Sequence, residues 1–402
     1  MSDRIALLRS VHPGLDPRRW SLPAHRAFRR NLAALTLAAF VATLAALLQL
    51  SLSSQLYEGS GIAAPLYAVE SSVQDWVLRT RSPDRYGTSV GKDPRDLITI
   101  VAIDEKSLTE LGIYRGWPQA YFAQVVNALD SAPPRVIAFD VGFFEPSPDD
   151  PQLAAAFAAL AQRRPATAVV LGGVGGGRAV RGDGGSPAFS EGLQPQSTLT
   201  ANARIGFANV LPDDRGVVRS MPLVVSLGGT QEPSLGLAAV GGYLRLPELV
   251  VDRPDAATLA FGTRDLVARK FPVDAAGRLK INFFGPPTVP GASTYTFRVV
   301  SFVDVMRGRA DPATWRDGIV FVGLLGATGF ADDWWTPVSE QGLKMAGVEV
   351  HANLVATMLS TQYLREAPLL VQIGLAFGLA LVVAALAVNL GVWTAGVLAL
   401  VL

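Results

Sequence analysis

Two long apolar runs lie near the ends of the chain, at 32–50 and 369–388, and a third begins at 390. The first two are long enough to cross the roughly 30 Å hydrocarbon core of a bilayer as helices. Arginine dominates the charged residues of 1–30, so the positive-inside rule places this end in the cytoplasm. A cleaved signal peptide is the alternative for the first run, but the run is long for such a peptide and no clear cleavage site follows.

This hydrophobic pattern divides the chain into five predicted segments. They are a basic cytoplasmic segment at 1–30, a transmembrane helix at 31–51, an extracytoplasmic domain with stalk helices at 52–366, a second transmembrane helix at 368–389 and the start of a third at 390–402. Because the last run is too short for a full span, we expect the sequence to be part of a longer protein.

Small residues recur at a spacing of four within the predicted spans, at Ala38, Ala42, Gly374 and Gly378. This spacing lets two helix backbones approach closely, and it predicts contact between helices in a homodimer. The alternative is that alanine merely fills an apolar span. After the first span, 64–80 has the pattern of an amphipathic stalk helix, with its apolar face formed by Leu66, Val69, Val73, Trp76 and Val77.

Strand and helix patterns alternate between the apolar runs. Strands are predicted at 97–103, 136–139, 166–171, 205–210 and 319–324, and helices at 119–129, 153–161, 234–244, 302–306 and 347–359. This order predicts an α/β fold with a mixed, largely parallel sheet flanked by helices. Hairpin-like patterns lie at 217–226 and 271–284, and the glycine-rich stretch 172–177 predicts a flexible surface loop.

Carboxylates follow several of the predicted strands, most clearly in 136–150, VIAFDVGFFEPSPDD. Asp104, Glu105, Asp140, Glu145 and Asp332 are therefore candidate ligand-binding residues at one edge of the sheet. Asp104, Asp140 and Asp332 could bind Ca²⁺ or Mg²⁺, which prefer oxygen ligands. The alternative is that each carboxylate caps a helix or stabilises a turn.

Two further candidates are not acidic. His351 stands at the start of a predicted helix, where the alternatives are a buried structural histidine and a ligand contact or pH sensor. Trp117 could line a pocket or belong to the aromatic packing of the core.

Composition narrows the function. The chain of 402 residues is 50% hydrophobic with a mean hydropathy of +0.30, as membrane segments would produce. A net charge of +1 without a basic patch argues against nucleic-acid binding. Cysteine is absent, which removes thiolate and disulfide chemistry. A metal-dependent hydrolase using Asp104 and Asp140 is one alternative, but the chain has only three histidines and neither a nucleophile motif nor a phosphate-loop motif. A purely structural dimerisation module is another alternative.

Eight short motifs in order resemble the second family of CHASE domains, extracellular sensors associated with cyclases and histidine kinases. The motifs are VAIDE at 101–105, GWP at 116–118, FDVGF at 139–143, DRG at 214–216 with Arg219, INFFGP at 281–286, IVFVG at 319–323, Asp332 with TP at 336–337, and GVEVHA at 347–352. The chain departs from the family at Tyr121, where an arginine is frequent. A ligand contact made by that arginine in the family is therefore not carried over to this chain.

The resemblance implies a receptor of the bacterial plasma membrane, with a periplasmic or extracellular sensor between one N-terminal span and about three C-terminal ones. It also implies a cytoplasmic effector after residue 402, typically a class III adenylate or guanylate cyclase and in some relatives a kinase. ATP with Mg²⁺ or Mn²⁺ would then belong to that effector. The sensor's own small-molecule or protein ligand is not implied, and the chain as given is expected to hold no catalytic site.

Overall fold

The computed structural model of the chain describes residues 63–80, 93–182, 185–289, 291, 295–329, 332–339, 342–360, 363–365 and 369–390, with isolated positions between 25 and 43. Most of the predicted cytoplasmic segment at 1–30, most of the predicted span at 31–51 with Ala38 and Ala42, and the run after Leu390 lie outside the described residues.

The chain divides into two compact units. Ala68–Arg365 is the sensor unit, and Met1–Tyr67 with Glu366–Leu402 is the other. In the second unit, a helix covers Leu369–Leu390. Apart from the backbone of the helix itself, no atom of the described residues lies within 4 Å of where side chains at Gly374 and Gly378 would begin. None of the helices in the described residues is long and apolar enough to cross a membrane. The predicted spans therefore stay predictions.

The helices of the described chain are α1 Ala63–Thr80, α2 Glu105–Leu111, α3 Gln119–Leu129, α4 Asp150–Gln162, α5 Ser197–Thr200, α6 Leu235–Tyr243, α7 Phe302–Met306, α8 Gly347–Leu359 and α9 Leu369–Leu390. Single 3-10 turns lie at Pro94–Leu97, Tyr114–Gly116 and Pro312–Thr314.

The strands are β1 Ile98–Ile103, β2 Val136–Asp140, β3 Ala168–Gly176, β4 Val180–Arg181, β5 Pro187–Phe189, β6 Glu191–Leu193, β7 Arg204–Phe207, β8 Ser220–Pro222, β9 Val224–Leu227, β10 Thr230–Pro233, β11 Val250–Asp255, β12 Thr258–Gly262, β13 Val267–Pro272, β14 Arg278–Lys280, β15 Arg298–Ser301, β16 Ile319–Leu324, β17 Asp333–Trp334 and β18 Met345–Ala346.

The central sheet has the order β15-β1-β16-β2-β3, and both β6 and β7 pair with β3. Every pairing in it is parallel except that of β6 with β3, so the predicted mixed, largely parallel sheet is confirmed. All six residues of β1 are buried, as expected for a parallel strand that is covered on both faces.

Helices cover both faces of this sheet. On one face, α6 and α8 are buried at every residue, which explains why both are apolar around most of their circumference. On the other face, α3, α4 and α7 contribute their apolar sides to a second core. Side chains Leu354 and Met358 of α8 pack against Gly236 of α6, so these two helices approach closely.

Two local predictions were wrong. The stretch 172–177 is mostly strand rather than flexible loop, because β3 continues to Gly176. A side chain at Gly175 would begin 2.5 Å from the ring of Phe189, so glycine is required there by packing. The hairpin expected at 271–284 is also absent, since β14 pairs instead with β8, while β11, β12 and β13 form the antiparallel meander.

Candidate functional site

The carboxyl ends of the parallel strands form one edge of the central sheet, here called the carboxyl edge. Asp140 is the last residue of β2 and pairs in register with Gly323 of β16. Asp104 follows β1, which lies on the other side of β16. The structure therefore separates Asp104 from Asp140 by one strand.

Asp104 and Glu105 serve local structure. The Oδ1 of Asp104 accepts hydrogen bonds from the Ser107 backbone amide at 2.9 Å, the Ser107 hydroxyl at 2.6 Å and the Ser301 hydroxyl at 2.9 Å. Asp104 is thus the N-cap of α2, where a carboxylate satisfies an amide that the helix itself leaves unpaired. Glu105 accepts from the backbone amide of Thr328 at 3.2 Å.

Asp140, Asp332 and His351 lie close together at the carboxyl edge. The Nε2 of His351 lies 2.9 Å from the Ala208 carbonyl oxygen and 3.8 Å from Oδ1 of Asp140. The Trp334 indole donates to Oδ1 of Asp332 at 2.9 Å. Among the described residues, Oδ2 of Asp140 and Nδ1 of His351 are buried without a hydrogen-bond partner. Buried polar atoms without a partner are energetically costly, and protonation of Asp140 would reduce that cost.

Burial sets the protonation of this cluster. It raises the pKa of Asp140 to about 7. It raises the pKa of Asp332 to about 6, with a further increase from the charge of Asp140. The pKa of Glu349 on α8 is raised by burial to about 7, although Glu349 accepts from the Thr288 amide at 3.0 Å. The pKa of His351 is lowered, again mainly by burial, because the cation is poorly solvated there.

Two glycines allow the cluster to form. A side chain at Gly347 would begin 2.3 Å from Oδ2 of Asp332. A side chain at Gly323 would begin 2.9 Å from the Cβ of Val348 and 3.2 Å from the Cβ of Asp140. The glycines of the IVFVG and GVEVHA motifs therefore let β16 and α8 close around the two aspartates.

Trp117 and Glu145 do not join the cluster. Trp117 is buried in the second core, where its ring centroid lies 5.1 Å from that of Phe302 and its indole donates to the Gly112 carbonyl at 2.8 Å. Tyr121, which replaces the frequent arginine, packs edge-on against Trp117. Glu145 is exposed in the loop after β2. Aromatic packing is therefore the role that the geometry gives Trp117.

The described part of the chain contains no group of three or more histidine, aspartate or glutamate side chains placed to hold a metal ion. Of the three predicted metal ligands, Asp140 and Asp332 are neighbours and Asp104 is a helix cap on the far side of β16. The predicted cation site stays a prediction.

A second site, missed in the sequence, fixes helix α1 to the sensor. Arg219 donates to both carboxylate oxygens of Asp75, at 2.9 and 2.7 Å, and it also pairs with Asp213. We call Asp75, Asp213 and Arg219 the anchor cluster. Next to it, Arg215 donates to the Ser71 hydroxyl at 2.8 Å, and Arg79 donates to the Pro337 carbonyl at 2.6 Å. The DRG motif with Arg219 therefore holds the stalk helix.

The orientation of α1 is the reverse of a usual amphipathic helix. Its polar residues Ser71 and Asp75 are only 2% and 8% exposed, whereas Val73, Trp76 and Val77 are 54%, 62% and 49% exposed. The sequence correctly predicted a helix in this region, but the part of its predicted apolar face formed by Val73, Trp76 and Val77 is exposed rather than packed against the sensor unit. A polar spacing of four at Ser71, Asp75 and Arg79 was the available signal for the docked face.

Comparison with known proteins gives one assignment. A family model described as the CHASE2 domain matches residues 36–391. No curated protein and no solved structure gives a significant match. The motifs that carry the resemblance now have positions in the fold, with FDVGF, IVFVG and GVEVHA around the carboxyl edge and DRG next to the anchor cluster, to which Arg219 belongs. Because the family model covers most of its length, the chain belongs to the CHASE2 domain family.

Proposed function

We propose that this chain is the sensory and membrane portion of a transmembrane receptor. CHASE2 domains are extracellular sensory domains of signalling receptors. The observation that carries the proposal is the anchor cluster, because it ties the helix that follows the first predicted span rigidly to the sensor unit. Helix α8, which carries Glu349 and His351, precedes the second predicted span in sequence. A change of packing at the carboxyl edge would thus reach both connections to the membrane.

The proposed output is cyclic AMP made by a class III adenylate cyclase that follows residue 402, with a kinase as the alternative effector. ATP and Mg²⁺ or Mn²⁺ would be bound by that effector. The test is to express the full-length protein and measure cyclic AMP, cyclic GMP and phosphotransfer in membranes. Cyclic nucleotide production would support the proposal, and phosphotransfer alone would replace the cyclase by a kinase.

The proposed signal at the carboxyl edge is a polar ligand or a cation that satisfies Asp140 and Asp332. Two neighbouring carboxyl groups with an unpartnered oxygen support this role. Calorimetric titration of the chain with Ca²⁺ and with Mg²⁺ tests the cation directly, and absence of saturable heat for both would exclude it.

We further propose that the exposed face of α1 pairs with the same face of a second copy. Leu66, Val69, Val73 and Trp76 follow one another at spacings of three, four and three, which is the repeat of a coiled-coil seam. Burying Val73, Trp76 and Val77 between two copies would remove their exposed apolar surface from water.

The absence of cysteine makes this pairing directly testable. We expect single Val73→Cys and Trp76→Cys variants to form a disulfide-linked dimer in membranes under mild oxidation, because seam positions of two parallel helices face each other. Asp255→Cys, on an exposed strand end of the same unit, is the matched control and should stay monomeric. Equal cross-linking at all three positions would show random collision rather than a stalk dimer.

A further inference from the structure

We propose that the sensor unit binds a small anion, a carboxylate or a phosphate, in a groove at the edge of the central sheet opposite the carboxyl edge. The groove has a volume of about 430 Å³, within the range of small-ligand pockets. Its walls come from the start of β3, the start of β7 and the turn that follows α6. The binding proposal does not depend on the receptor function proposed above.

Arg204 contributes a positive charge to the wall of the groove. Its Nη2 donates to the Leu246 carbonyl, while its Nη1 is buried and has no hydrogen-bond partner among the described residues. No carboxylate of the described chain lies within ion-pair distance of Arg204. A partly buried guanidinium without a counter-charge is unfavourable, and burial correspondingly lowers its pKa. A bound anion would supply the missing charge.

Arg245, which is exposed to solvent, is a second arginine among the residues that line the groove. It follows the end of α6 with φ of +57°, in the left-handed region where glycine is the usual residue. The turn is closed by hydrogen bonds from the Leu246 amide to the Gly241 carbonyl at 3.0 Å and from the Arg245 amide to the Gly242 carbonyl at 2.9 Å. Because the cap itself favours glycine, a glycine in place of Arg245 would keep this turn while removing the side chain.

The remaining lining points to the same class of ligand. Of the described residues that line the groove, none is aspartate or glutamate, and Asn202 is a further polar residue among them. Glu248 is the acidic residue nearest to Arg245 in sequence, but its Oε2 pairs with Nε of Arg264 at 3.5 Å. A guanidinium group matches the planar oxygens of a carboxylate as well as the tetrahedral oxygens of a phosphate, so these two anions share the recognition chemistry.

The test uses the whole chain in detergent at constant ionic strength, titrated calorimetrically with inorganic phosphate and, separately, with succinate. We expect saturable binding of at least one anion, and the stronger one identifies a phosphoryl or a carboxylate ligand. Sodium chloride at matched concentration is the control for general salt effects. Lack of saturable binding by both probes, or equal heats with chloride, would overturn the proposal.

Two variants locate the binding. Arg245→Gly keeps or improves the helix cap, so the fold should be retained while affinity falls at least tenfold. Arg204→Gln should also weaken binding, with the thermal midpoint measured to confirm folding. Arg264→Gln removes an arginine whose side chain is 82% exposed outside the groove and should leave affinity unchanged. Unchanged affinity in Arg245→Gly would place the anion elsewhere and contradict the proposal.

Discussion

Replacing Arg219 with methionine should destabilise the sensor unit by about 3–5 kcal/mol, because it leaves two buried carboxylates without their cation. The side chains of Arg219, Asp75 and Asp213 are only 14%, 12% and 14% exposed, so water cannot fully replace the lost partner. Asp213 also accepts hydrogen bonds from the backbone amides of Arg215 and Val217, so repulsion at its carboxylate would disturb this turn. The measurement is thermal or denaturant unfolding of the whole chain in detergent, followed by tryptophan fluorescence.

The anchor cluster predicts a definite order of effects. Asp75→Asn should cost less than Arg219→Met, because Arg219 keeps its pair with Asp213. The control is Arg264→Met at an exposed pair, which should change stability by less than about 0.5 kcal/mol. In the proposed full-length receptor, Arg219→Met should also uncouple the proposed effector output from the sensor at temperatures where the domain stays folded. Equal stability losses in the anchor and control variants would contradict the role given to this cluster.

The Asp140 carboxyl should make the sensor less stable as the pH rises from 5 to 8. Its pKa is about 7 in the folded chain, above its ordinary value of 3.8, so the folded state binds more protons between these values. The stability that this carboxyl contributes is fully present below pH 4 and is lost as the pH rises through 7. The loss between pH 5 and pH 8 amounts to about 3 kcal/mol of unfolding free energy. Asp332 and Glu349 act in the same direction.

His351 acts in the opposite direction, because its pKa is lowered by burial. The stability that it contributes is present above pH 6.5 and is lost as the pH falls below that value. Because the two effects oppose each other, the free energy of unfolding should be measured against pH for both Asp140→Asn and the unmodified chain. The difference between the two curves isolates the contribution of Asp140. Between pH 5 and pH 8, we expect the free energy of unfolding of the variant to rise by about 3 kcal/mol relative to that of the parent, because only the parent loses the contribution of the Asp140 carboxyl. If the unfolding free energies of Asp140→Asn and the parent ran parallel with pH, Asp140 would be ruled out as the titrating group. The control is Asp255→Asn at an exposed position, whose pH profile should follow that of the parent.

Local pattern was enough to predict much of the fold. Helices α3, α7 and α8 and strand β16 have the bounds that were expected from the sequence. The periodicity of apolar residues fixes such elements because each must bury one face or both. The motifs also placed the chain in its family, since residues such as Gly323 and Gly347 are required by close backbone packing.

The sequence did not reveal which carboxylates meet. Asp104 and Asp140 both follow buried strands, but β16, which comes nearly 180 residues after β2 in the chain, lies between β1 and β2 in the sheet. Strand order is set by long-range pairing, which no local pattern records. The cluster that forms instead depends on His351 and Asp332, which arrive with the last elements of the sensor unit.

By itself, the sequence determined the α/β class, the family and the amphipathic character of α1. Only the tertiary structure decided that 172–176 continues a strand and that the apolar face of α1 turns outward. The reason is the same in both cases, because the outcome depends on what a distant residue offers. The Phe189 ring leaves space only for a glycine at position 175. Arg219 is a charged partner for Asp75, so the polar face of α1 packs against the sensor unit instead of the apolar face.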